Sequence, residues 1–99
     1  MQNLFIINVE YTQEFSKVQE VLPLHREFLK KGYEAGFLLA SGPKNPKTGG
    51  VIVGKFSSKD EAINFTKNDP YTLHNVAKHE VIEFEPVLNN ALLDNFLGK

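Results

Sequence analysis

The feature that most constrains this chain is the order in which its hydrophobic patterning changes. Strand-like, helix-like, two strand-like, helix-like and strand-like stretches follow one another between residues 3 and 85. Asn3 to Tyr11 alternates, with Phe5, Ile7, Val9 and Tyr11 on one face and Leu4, Ile6, Asn8 and Glu10 on the other. From Glu14 to Ala35 the period becomes helical, and Val18, Val21, Leu22, His25, Phe28 and Leu29 share a face. Ser16 with Gln19 matches a capping box and predicts a start there, Pro23 predicts a kink or restart near Leu22, and Gly36 suits the end. Phe37 to Ser41 reads as a strand apolar on both faces, and Val51 to Phe56 as the next strand. Between them Gly42 to Gly50 is all turn chemistry, longer than an ordinary hairpin loop. Ser57 or Ser58, with Glu61 completing a capping box, opens a helix to Asn68; Asp69-Pro70 stops it, and Tyr71 to Val76 holds one helical turn. His79 to Glu85 is the last core strand.

The order is β-α-β-β-α-β, the ferredoxin-like α+β arrangement. Right-handed crossovers put both helices on one face of a four-stranded antiparallel sheet of order 4-1-3-2. The opposite face has no cover of its own, yet carries Leu4, Ile6 and one side of Phe37–Ala40. So large an apolar patch predicts a homodimer, sheet against sheet. Beyond Pro86, Leu88, Leu92, Leu93, Phe96 and Leu97 are spaced for an extra C-terminal helix that covers an edge or reaches the partner. The expectation is one domain over residues 1–99, with its core in 3–85 and a helical tail in 86–99.

Composition narrows the function classes. The 41% hydrophobic and 23% charged residues suit a globular domain, and a net charge of −1 without a basic run argues against nucleic acid and anionic membranes. No stretch approaches a membrane span, the N-terminus lacks the basic region of a signal peptide, and a soluble cytoplasmic protein is expected. With no cysteine, thiol chemistry and cysteine-ligated zinc are excluded.

His25 stands in the apolar stripe of the first helix. It reads either as a partly buried histidine satisfied by backbone or as a general acid or base. Asp69 reads either as helix-end punctuation or as the carboxylate that orients His25, since both lie on the helix-covered face. Ser41 ends a strand just before Gly42-Pro43. It lacks the nucleophile-elbow pattern, so a hydrogen bond to substrate or to the His–Asp pair is preferred, with amides near Gly42 as oxyanion donors. Tyr71 either donates into the pocket or packs. Lys44, Lys47 and Gly49-Gly50 offer a minor anion-binding option without a Walker pattern. His74 and His79 make no metal set with His25 and read as surface residues. Val51 to Phe56 lacks the aromatic and basic interleaving of an RNA-recognition strand.

Pro23-Leu-His25 with Leu29, then Gly36-Phe-Leu-Leu-Ala-Ser-Gly-Pro43, Gly49-Gly50, Ala62 and Asp69-Pro70-Tyr71 resemble the YciI-like (YCII-related) family in order and spacing, over residues 3–85. The resemblance implies a dimeric α+β barrel of the kind that includes muconolactone isomerase. It also implies a site built on His25 and Asp69, with Ser41, Gly42 and Pro43 as the Ser-Gly-Pro element. The chemistry known in the family suggests lyase or dehydrochlorinase work on small cyclic oxygenated substrates. The chain departs from the pattern after Asp-Pro-Tyr, where the family has a Gly and this sequence has His74-Asn75-Val76, at the expected pocket rim. The first reading is therefore a small dimeric enzyme using His25 and Asp69 without metal or organic cofactor. The alternative is a non-catalytic protein that binds a small ligand in the same pocket.

Overall fold

The computed structural model describes residues 2–99; Met1, the first residue of the expected domain, lies outside them. Strand β1 (Leu4–Tyr11) leads to helix α1 (Phe15–Glu34), strands β2 (Leu38–Pro43) and β3 (Gly49–Lys55), and helix α2 (Lys59–Lys67). A single turn α3 (Pro70–Leu73), strand β4 (Ala77–Phe84), a 3-10 turn (Ala91–Leu93) and a short helix α4 (Asp94–Leu97) complete it. The strands form one antiparallel sheet in the order β2-β3-β1-β4, as the crossover rule requires.

Phe5, Ile7 and Val9 of β1, with Ile52 of β3, turn toward the helices and are fully or nearly fully buried. Val18, Val21 and Leu29 of α1 meet Ile7, Val9 and Ile52 in a single core. Phe28 stacks on Phe65 at 4.7 Å between ring centroids, which fixes α1 against α2.

The start of α1 differs from the capping-box expectation. The helix begins at Phe15 with Glu14 as N-cap, and no side-chain cap bond forms. Glu14's carbonyl already accepts the amides of Lys17 and Val18, so the backbone closes the first turn, and Phe15 is drawn toward Tyr11. Nor does Pro23 restart the helix, which is continuous through it. Pro23 lies on the exposed side, where water can serve the carbonyl its missing N–H leaves free. The C-terminus follows expectation. Gly36 adopts φ 87°, its amide donates to Tyr33, and Phe37's amide donates to Gly32, the paired bonds of a Schellman end. Ser58 caps α2 by accepting from the Glu61 amide at 3.1 Å, and Glu61 answers by accepting from Ser57.

The long loop contracts to residues 44–48, because Pro43 pairs with Gly50 and Gly42 with Val51. Two of its glycines serve the sheet rather than a turn. A Cβ on Gly49 would lie 1.9 Å from the Val9 carbonyl oxygen, so only glycine lets β3 approach β1 there. Pro43 is tolerated because β2 is an edge strand.

The second sheet face carries Ile6, Val51, Val53, Ile82 and Phe84, by the register that sets Ile6 opposite Val53 and Ile82. Ile82 and Phe84 are 46% and 41% exposed. The tail covers one end of this face. The Gln2 amide donates to Leu97, Lys55 Nζ donates to the Phe96 carbonyl at 2.6 Å and sits over the Phe96 ring, and Leu97 is fully buried. The expected longer amphipathic helix does not form: Leu88 and Leu92 face solvent, and regular helix is confined to Asp94–Leu97 before Gly98 at φ 75°.

Candidate functional site

Asp69 ends the segment after α2 and caps α3. Its backbone is extended, Pro70 takes the first helical position, and its Oδ1 accepts the Tyr71 amide at 3.0 Å. The cap turns the carboxylate inward, where it is fully buried. His25, midway along α1, meets it: Nδ1 lies 2.7 Å from Asp69 Oδ1. Burial alone would raise the Asp69 carboxyl, but hydrogen bonds from His25 and His79, the positive charge of His25 when it is protonated, and the Tyr71 amide outweigh it and hold the group down at about 2. An ionised carboxylate only accepts, so the hydrogen between them belongs to His25 Nδ1, and in the neutral ring Nε2 is then the acceptor nitrogen. The His25 ring is further fixed by Tyr71, stacked parallel at 3.8 Å. Burial, followed by the neighbouring Tyr11, pushes the Tyr71 hydroxyl up, so it remains a protonated donor.

His25 and Tyr71 line a cavity of about 370 Å³ between α1 and the β2–β3 half of the sheet. Its walls are apolar at Val9, Val18, Leu22 and Ile52, aromatic at Tyr11 and Phe15, and formed by Ser41, Gly42 and Pro43 at the sheet edge. Arg26 and Lys47 also line it, and no Asp or Glu does. Asp69 stands behind the His25 ring rather than in the wall.

The structure thus brings His25, Asp69 and Tyr71 into contact, and sets Ser41, Gly42 and Pro43 across the cavity from them. Ser41 does not bond to the His–Asp pair, because its hydroxyl is engaged with Tyr33 at 2.7 Å. Gly42 and Pro43 are strand residues, a wall rather than a loop. Lys44 and Gly49 are outside the lining, whereas Lys47 and Gly50 are part of it.

His79 is the residue that sequence reading misplaced. Its side chain is 4% exposed, and Nε2 lies 2.9 Å from Asp69 Oδ2. The strand begins at Ala77, not at His79, and Ala77, His79 and Val81 face the helices while Lys78 and Glu80 face outward. Polar residues at 78 and 80 were the available signal. His74 is exposed, as expected. Asn75 takes φ 57°, the left-handed region that Asn tolerates, and residues 74–76 stay out of the cavity wall. Among the described residues no group of three or more His, Cys, Asp or Glu is arranged to hold a metal ion, and no helix is long and apolar enough to cross a membrane.

The model of the YCII-related domain matches residues 2–85. The chain belongs to the YCII-related domain family. No curated protein matches it in sequence. Among solved structures it is similar to 5-chloro-2-hydroxyhydroquinone dehydrochlorinase from Burkholderia phenoliruptrix, solved in complex with 2,5-dihydroxybenzoquinone. That match has a TM-score of 0.71 at 20% identity over 83% of this chain and 93% of the other. It is also similar to an antibiotic biosynthesis monooxygenase, with a TM-score of 0.58 at 16% identity over 86% of this chain and 99% of the other. Both likenesses place this YCII-related chain in the fold of the dimeric α+β barrels.

Proposed function

We propose that this YCII-related protein is a small dimeric enzyme in which His25 is the general base and acid and Asp69 orients it. The observation that carries the reading is the 2.7 Å contact of His25 Nδ1 with a buried, ionised Asp69, which leaves Nε2 for the cavity. A base so held can take a proton next to a carbonyl or from an enol and return it elsewhere, which is the core of elimination and isomerisation. Hydrolysis is less well served, since the Ser41 hydroxyl is bonded to Tyr33 and not to His25.

The lining supports a small, flat, oxygenated ring bearing negative charge. Tyr11, Phe15 and Tyr71 supply aromatic surface, and Arg26 and Lys47 supply positive charge without an opposing carboxylate. The structurally similar dehydrochlorinase holds a dihydroxybenzoquinone, a molecule of that description. The dimer is supported by the apolar face of Ile6, Val51, Val53, Ile82 and Phe84, which among the described residues has no cover beyond the tail at one end.

The test is titration of the protein with 2,5-dihydroxybenzoquinone, followed by an assay of chloride release from 5-chloro-2-hydroxyhydroquinone. Binding that survives His25→Asn, with turnover reduced at least about 100-fold, supports the reading. Binding without any turnover by the unaltered protein supports a ligand-binding protein instead. Turnover unaffected by His25→Asn would reject His25 as the base.

A further inference from the structure

His79 takes no direct part in the chemistry just described, yet both of its ring nitrogens are engaged. Nε2 faces Asp69 Oδ2 at 2.9 Å and Nδ1 faces Thr72 Oγ1 at 3.2 Å. Thr72 has a single hydroxyl hydrogen, and it donates it to the Thr66 carbonyl at 2.6 Å, an acceptor with no hydrogen to return. Toward His79 the Thr72 oxygen therefore presents a lone pair. Asp69 presents only lone pairs as well, because its oxygens receive the Tyr71 amide, His25 and His79. A ring flanked on both sides by acceptors is satisfied in the form that donates from both nitrogens, the imidazolium.

From this we infer that His79 carries the cluster's extra proton and serves as the buried counter-cation of Asp69, leaving His25 neutral with its Nε2 lone pair toward the cavity. His79 is thus a positioning residue; it acts through Asp69, and the inference rests on the reading of His25 as the base.

Charge balance points the same way. Asp69 and a cationic His79 sum to zero in a buried place, and a second proton on His25 would add an uncompensated charge there. Moving the proton from His79 to His25 would leave the His79 Nδ1 and Thr72 lone pairs facing each other across 3.2 Å. The surroundings offer no other balancing acid. From β1, Val9 lies opposite His79 and Tyr11 opposite Ala77. From α3 and its cap come Tyr71 and Asp69, from α1 His25 with Arg26 on the cavity side, and from α2 Thr66. On β4 itself Lys78 and Glu80 face the other way, and Glu83, on the same face as His79, accepts from Asn3.

The experiment is ring-nitrogen NMR of the full chain with labelled histidine at neutral pH, which needs no ligand. Two protonated nitrogens are expected on His79 and a single one, Nδ1, on His25. Thr72→Val removes the acceptor at nearly constant shape. His79 should then lose its Nδ1 hydrogen and the titration midpoint of His25 should move up by about one pH unit. Thr72→Ser should restore the original pattern. If Thr72→Val does not fold, His79→Gln removes the cation directly and should move the His25 midpoint the same way. A purely structural His79 would lower stability without moving His25. A wild-type His79 with one bare nitrogen, or a His25 unmoved in both variants, would overturn the inference. Because no substrate is involved, failure of the enzymatic reading shows as absent turnover with this pattern intact.

Discussion

At the residue scale one buried carboxylate organises the site. Asp69 has its pKa held at about 2 against an ordinary 3.8, so its folded-state value is depressed. A depressed value contributes stability that is present above the unfolded pKa and is lost as pH falls through the folded one. The window is therefore from about pH 4 down to about pH 2, and the contribution above it is about 2 kcal/mol. Urea unfolding of wild type and Asp69→Asn should differ by roughly that amount at pH 6 and converge near pH 2. A difference that persists unchanged through the window would count against the ionised pair. His25 and Asp69 were legible from sequence because a polar residue in an apolar stripe and a helix-capping Asp-Pro are local signals. His79 was not, since its burial depends on where a strand begins, a boundary set by pairing of Ala77 with Tyr11 far away in the chain. Ser41's bond to Tyr33 in place of the His–Asp pair was not legible for the same kind of reason: that partner lies across the helix end at Gly36.

At the scale of elements, chain patterning revealed the order and type of every core strand and helix, but not the edges. Glycines at 49 and 50 read as loop because composition does not separate a turn from a close backbone approach. Gly49→Ala tests the distinction. The added carbon meets the Val9 carbonyl at 1.9 Å, so β1 and β3 must part, and a loss of about 1–3 kcal/mol or more is expected by denaturant unfolding. A neutral result would return Gly49 to a loop role. By contrast Ser58→Ala removes a single cap bond whose sequence signature was plain, and thermal unfolding should show a loss of about 1 kcal/mol.

At the scale of the whole molecule, the two sheet faces have different tasks. The helix face holds the cavity and the buried His25–Asp69–His79 cluster, whereas the other face is apolar and open at Ile82 and Phe84. Its lack of cover was foreseeable from alternation in β1, although the tail's route over Lys55 was not, because a cation resting on Phe96 leaves no periodic trace. If the proposed dimer forms through this face, wild type should sediment as a dimer and Ile82→Asp as a monomer with the cavity side left untouched; a wild-type monomer would reject the dimer, and an unaltered dimer would move the interface elsewhere.

The central claim is that His25 offers an unprotonated Nε2 to a small-molecule cavity, and its most direct test is reactivity. Diethyl pyrocarbonate acylates bare imidazole nitrogen, and peptide mass spectrometry reads each histidine separately. Labelling of His25 and of exposed His74, protection of His79, and slower labelling of His25 in Asp69→Asn are expected. A His25 as inert as His79, or one indifferent to Asp69, would contradict it.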